Sequence, residues 1–308
     1  MAERVDVKLR ASSSGTVRRR LRTSAVLALA GVLLGGCGAA ESPGPTNTAP
    51  GYRVEDPGPV HVHGLGVNPA DGALFIATHT GLYRSAAGQT RAKRVGRRLQ
   101  DTMGFTVIGP DRFLGSGHPD GRDRLPPFLG LIRSTDAGRR WRAVSLLGKR
   151  DFHALEAAGG RVYGYGSDFQ TREQGLLVSA DGGRTWSARR APEPLLTLSA
   201  HGARPERVLA GGTRAIWRSD DGARAWRRLE GPGGLVAAGP DGRAYRVSLD
   251  GSVAVSHDAG STWRAGGRVG GEPAAFELSG GNLYVALHDG TIKQSADEGR
   301  TWRVRSAP

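Results

Sequence analysis

Three observations predict an all-β fold, a six-bladed β-propeller with four-stranded blades. A box of the form Ser-x-Asp-x-Gly-x-Thr-Trp recurs, in full or in part, at "STDAGRRW" (134–141), "SADGGRTW" (179–186), "SDDGARAW" (219–226), "SHDAGSTW" (256–263) and "SADEGRTW" (295–302). The starts lie 37 to 45 residues apart, a period that signals an array of similar supersecondary units. Five of the six tryptophans (Trp141, Trp186, Trp226, Trp263 and Trp302) close these boxes. Four strand-sized apolar pieces surround each box, and four-stranded units arranged radially leave only short, protected edges.

Blade one reads "HVHGLGV", "ALFIATH", "GLYRSAA" and "RAKRV", with its box decayed to "SAAGQT". Blade two begins at "MGFTVIG" and holds the first intact box. Blade three reads "HALEAAG", "RVYGYGS", "GLLVSAD" and "WSARRA"; blade four reads "LLTLSAHG", "RVLAGGT", "AIWRSDD" and "WRRLEG". Blade five reads "LVAAGP", "RAYRVSL", "SVAVSHD" and "WRAGG"; blade six reads "AAFELSG", "NLYVALH", "TIKQSAD" and "WRVRS". A strand supplied from upstream, near "YRVED", is an alternative way to close the ring.

Turn chemistry accounts for every position of the box. Ser and Asp side chains bond to the backbone of their own turn, and Gly supplies a positive φ at no steric cost. Thr and Trp then open the return strand, where β-branched and aromatic side chains suit the pleat. Asp136, Asp181, Asp221, Asp258 and Asp297 are therefore read as structural acids of hairpin turns.

The first 58 residues have a different character. Arg18, Arg19, Arg20 and Arg22 precede "AVLALAGVLL" (25–34), too short for a span of about 20 residues and suited to the apolar core of a secretory signal. The run ends in "LGGC" at Cys37, the single cysteine of the chain. This stretch resembles the lipobox of bacterial lipoproteins, and the resemblance implies a signal peptide at 1–36 and lipidation of Cys37. The arginine stretch also partly resembles a twin-arginine signal, so the export route stays open. Residues 37–58, rich in Pro, Gly, Ser and Thr, read as a flexible tether. The propeller takes 59–308, and the expected location is the outer face of the cell membrane, held through the Cys37 lipid.

The formal net charge is +14, of which roughly +9 remains after residue 36. Arginines scatter through strands and turns with no aromatic-interleaved patch, so no nucleic-acid partner is expected.

The repeated box on a six-bladed count resembles the sialidase-like Asp-box (BNR) propellers, over Ser134 to Trp302. The set "HVHGLG", "IATHTGLYR", "MGF", "SGHP" and "DFHAL" resembles a family of bacterial exported Asp-box proteins labelled as glycosylhydrolases, over most of 59–308. The first group implies little about activity, since it includes sialidases, other glycosidases, sorting receptors and assembly factors. A sialidase would need three arginines, a Tyr–Glu nucleophile pair and an acid. Tyr52, Arg53 and Val54 half match the first arginine's motif, and the catalytic set is not identifiable. Whether the chain is an enzyme stays open.

In such propellers the boxes lie on the bottom rim, and the top face carries the starts of the inner strands and the loops after the second strands. That places His61, His63, His79, His118, His153 and His288 on top, and His201 and His257 below. His61, His63, His79, His118 and His153 fall in neighbouring blades and are the ligand or metal candidates, because imidazole is the commonest metal ligand. Nitrogen donors of this kind suit Zn or Cu. Met103, Asp101, Asp151, Asp168 and His288 are secondary candidates. Asp120, Asp123, Glu173 and Asp289 are further top-face acids, and the long loops "GHPDGRDRLPPF" and "SDFQTREQG" bring Arg122, Arg124 and Arg172. Three readings follow: a propeller binding a glycan or metal at the His-rich face, an exo-acting glycoside hydrolase, or a protein-binding scaffold.

Overall fold

The computed structural model describes residues 58–308. The signal, Cys37, the tether and the "YRVED" segment up to Asp56 lie outside the described residues. Within them, twenty-four strands form six four-stranded antiparallel sheets, each built from four consecutive strands. The six-bladed, all-β reading is thus met blade for blade. A single 3-10 turn at Pro240–Gly242 replaces the end of the strand expected at "LVAAGP".

The innermost strands are β1 (Val62–Val67), β5 (Asp101–Gly109), β9 (Arg150–Ala158), β13 (Leu195–His201), β17 (Leu235–Ala238) and β21 (Pro273–Ser279). Each packs against the next, and β21 returns to β1, so the six line one axis. The core lies between blades rather than within them. Phe75 and Leu82 of blade one meet Phe105 and Phe113 of blade two. Leu114 and Leu131 of blade two meet Phe152 and Leu155 of blade three. Tyr163 and Leu176 of blade three meet Leu198 and Val208 of blade four. Each inward face therefore removes apolar area from water only when its neighbour is present.

Every intact box has the hydrogen bonds that its residue types predict. Ser179 Oγ donates to Asp181 Oδ1 at 2.7 Å and accepts from Gly183 N at 2.8 Å. Asp181 in turn accepts from Thr185 N at 2.9 Å and Thr185 Oγ1 at 2.7 Å. The boxes of Ser134, Ser219, Ser256 and Ser295 repeat the first two bonds. These bonds hold the box acids below the usual carboxylate range, Asp258 and Asp297 at about 2. The tryptophans pack on the interblade core, and Trp186 also donates Nε1–H to Ser145 Oγ of the preceding blade at 2.9 Å.

The ring closes without a strand from upstream among the described residues. β24 (Arg303–Ser306) of blade six sets Arg305 against the decayed box of blade one. Arg305 donates to Ser85 Oγ at 2.8 Å, Gln89 O at 2.5 Å and Ala86 O at 3.0 Å. Ala307 N adds a bond to Thr90 O at 3.0 Å.

Candidate functional site

One local irregularity shapes the upper end of the axis. The pairing of the inner strand with its neighbour slips by one residue near its start in five blades, leaving His63, Met103, His153, Leu196 and Ala274 as the extra residues. A β-bulge of this kind re-aims a side chain. His63, His153, Leu196 and Ala274 line a narrow axial cavity of about 60 Å³. Two glycines permit the close backbone approach beside these bulges. A Cβ at Gly117, whose φ is +135°, would overlap the Asp101 carbonyl, and one at Gly166 would overlap the Asp151 carbonyl.

Around the bulges the histidines gather in two groups, each about one aspartate. In the first, His79 Nδ1 lies 3.0 Å and His63 Nε2 3.9 Å from Asp101 Oδ1. The rings of His63 and His79 meet edge-on at 4.2 Å, and exposed His61, held at a left-handed φ of 51°, brings its ring within 5.5 Å of His79. One donor atom from each of His63, His79 and Asp101 lies within 4.8 Å of the others. His63 Nε2 is buried without a hydrogen-bond partner, and the buried Asp101 Oδ1 has the His79 ion pair. Burial first, and then His79, pulls the His63 pKa down to about 4, against the opposite pull of Asp101. The His63 ring is thus neutral at physiological pH, with a lone pair to offer.

The second group centres on Asp151, which is buried. His153 Nε2 lies 2.9 Å and His118 Nε2 3.4 Å from Asp151 Oδ2. His118 Nδ1 lies 2.8 Å from the Pro127 carbonyl oxygen. The hydrogen bond to Asp151 raises the His153 pKa, with Asp101 adding a smaller push in the same direction. The two groups therefore feel each other's charge. The five candidate rings share one rim, but they divide between two acids rather than converging on one point.

The other candidates stand apart. Asp168 accepts from Gln170 N and Thr171 N and pairs with Arg150 at 3.0 Å, which makes it a turn residue. His288 faces Glu272 at 3.9 Å and none of the rim histidines. Asp289 caps its own turn at Thr291 N. Asp120 is buried, taking Arg122 and Leu99 N, and so braces its loop. Asp123 pairs with Arg98, and Arg172 stacks on Phe169 at 4.9 Å. At the opposite end of the axis, His201 lines a wider pocket with Arg204 and Arg207.

Sequence reasoning missed two acids. Glu156 and Glu277 line the axial cavity below His63 and His153. They occupy equivalent registers, opposite Tyr163 and Tyr284 in blades three and six. Burial pushes the Glu156 pKa up to about 8. Burial, reinforced by Glu156, pushes Glu277 well above the usual range. The detectable signal was an acid at an inward-facing position of an otherwise apolar inner strand, once in "HALEAAG" and again in "AAFELSG".

No protein-family model matches the chain, and no curated protein matches it. Solved structures do. A GH74 xyloglucanase from Xanthomonas campestris superposes with a TM-score of 0.53 at 17% identity, over 80% of this chain and 45% of that one. An ancestral GH74 enzyme gives 0.51 at 14% identity, over 82% of this chain and 39% of that one. YCF48 bound to D1 peptide gives 0.44 at 18% identity, over 66% of each chain. The chain spans less than half the length of both GH74 structures, and at these identities the likeness concerns the fold alone.

Proposed function

We propose that this chain is an exported binding propeller, lipid-anchored at Cys37, that captures a divalent transition-metal ion on its histidine rim. The observation that carries the metal reading is the close approach of one donor each from His63, His79 and Asp101, with His63 Nε2 buried and without a hydrogen-bond partner. An unpaired buried polar atom costs about 1–3 kcal/mol, and a cation bound at the His63 nitrogen would remove that cost. Two imidazoles and a carboxylate leave further positions open, a donor set of the kind that binds zinc in catalytic sites. Imidazole also suits copper. His61 stands at the edge of the group, its ring 5.5 Å from that of His79.

The glycoside hydrolase reading has the paired acids Glu156 and Glu277 in its favour. Against it, a cavity of about 60 Å³ around them holds a few waters and no sugar ring. The metal reading is the better supported. It is tested by melting the chelator-treated protein with and without Zn²⁺ or Cu²⁺. An ion at one hundred times its Kd should stabilise the fold by about 2.7 kcal/mol through mass action, and His63→Ala should lose that gain. A melting temperature that moves with neither ion would refute the reading.

A further inference from the structure

We propose that the wide pocket at the lower end of the axis is a separate binding site, which takes an organic anion with an apolar body. The site is independent of the metal reading, because it lies at the far ends of the inner strands. Three hairpin turns build it, one each from blades four, five and six, at 201–204, 239–242 and 280–281. The pocket holds about 710 Å³, a volume typical of small-molecule sites. Ala203, Ala238 and Leu278 supply apolar wall, and glycines leave much of the remainder as bare backbone. One of those glycines is not required by the fold. Gly202 does not take a positive φ, and a Cβ there would meet nothing within 4 Å. Neither the backbone nor the packing asks for glycine at 202, whereas an open mouth to the pocket does.

The charge of the pocket is laid out by wall. Arg204 lines it with no ion pair or side-chain hydrogen bond among the described residues. Arg207 Nε donates to Asp220 Oδ1 at 2.7 Å, and Arg218 Nε donates to Oδ2 of the same acid at 3.0 Å. One carboxylate thus serves two guanidinium groups, and the cluster keeps a surplus of positive charge beside Arg204. A guanidinium fork matches the paired oxygens of an oxyanion. Asp241, on the blade-five turn, is the one acid among the lining residues. It repels an anion from that wall and so fixes which side the charged end takes. His201 is 9% exposed, and its buried Nδ1 has no hydrogen-bond partner. An unpaired polar atom at such depth calls for a reason. The ring borders the pocket and is held by packing alone, so it can turn a nitrogen toward a ligand.

The test uses anilinonaphthalene sulfonate, an anion with an apolar body whose fluorescence rises on leaving water. The full chain carrying Cys37→Ala is the background, so that no attached lipid competes for the probe. Titration should show one saturable site, from which octanoate displaces the probe and uncharged octanol does not. Arg204→Gln should weaken both anions about tenfold or more, and Gly202→Phe should abolish binding by filling the mouth. Asp241→Asn, which suits the left-handed φ of 58° at that position, should tighten binding. Arg142→Gln removes an exposed charge on blade two and should bind as the background does. Unchanged melting temperatures show that each variant is folded. Binding that does not saturate, or that Arg204→Gln and Gly202→Phe leave unchanged, overturns the proposal. Equal weakening by Arg142→Gln overturns it too, since the effect would then be one of net charge. Displacement by octanol as strong as by octanoate overturns the choice of an anion.

Discussion

Within a box, serine and aspartate do unequal jobs. Ser179 is 1% exposed, and its hydroxyl receives the Gly183 N–H inside the turn. Asp181 reaches the same turn from the solvent side, where water can replace it. Ser179→Ala should therefore strand a buried N–H and lower unfolding stability by about 1–3 kcal/mol, more than Asp181→Ala does. Urea denaturation of both variants checks the order, and an equal or larger loss at Asp181 would contradict it. The turn role of the box was legible from its residue types. The deeper burial of serine was not, because burial depends on how one blade packs on the next. The histidines show the same division. A fixed repeat period was enough to put His63, His79, His118 and His153 on one rim, but their split between Asp101 and Asp151 depends on side-chain directions that spacing does not encode.

At the scale of the strand, each blade's existence and order could be read from apolar runs between turns. The bulges could not, because one extra residue leaves the hydrophobic pattern almost unchanged. They decide which side chains enter the axis. Deeper in the same strands, Glu156 and Glu277 set a pH dependence. Their pKa values in the fold lie above the ordinary 4.5, so protonation favours the folded state. The Glu156 contribution is complete below about pH 4.5 and is lost as pH rises through about 8, and that of Glu277 is lost in the same direction. The box acids act in the opposite sense. Their contribution is present above 3.8 and is lost as pH falls, for Asp258 and Asp297 toward about 2. Glu277→Gln removes one charge and relieves Glu156 as well. The variant should melt higher than wild type at pH 8, with the gap closing near pH 5. Taking the difference between the two proteins cancels the titration of His63 and His153. A gap that does not change between these pH values would show that the two acids are not held protonated.

For the molecule as a whole, closure of the ring bears on how the chain is held. Arg305 and Ala307 join blade six to the decayed box of blade one, using only residues of the propeller. This explains the decay. Where the other boxes carry an aspartate, "SAAGQT" leaves the Ser85 hydroxyl and nearby carbonyls open to a guanidinium from the last strand. The closing contacts are made among the described residues, and the proposed tether at 37–58 is a reading of its composition. The apolar run at 25–34 is about half the length of a bilayer span, and the proposed attachment is therefore through lipid. Durable attachment would have to come from lipid. One acyl chain binds only marginally, whereas two or more hold firmly. Cys37 is the single thiol in the sequence, so it is the only cysteine such lipid could modify. On the proposed anchoring, Cys37→Ala should shift the protein from the membrane fraction to the soluble fraction and abolish labelling by a fatty-acid probe, while the propeller's melting temperature stays unchanged. Retention in the membrane with the label intact would show that the anchor lies elsewhere.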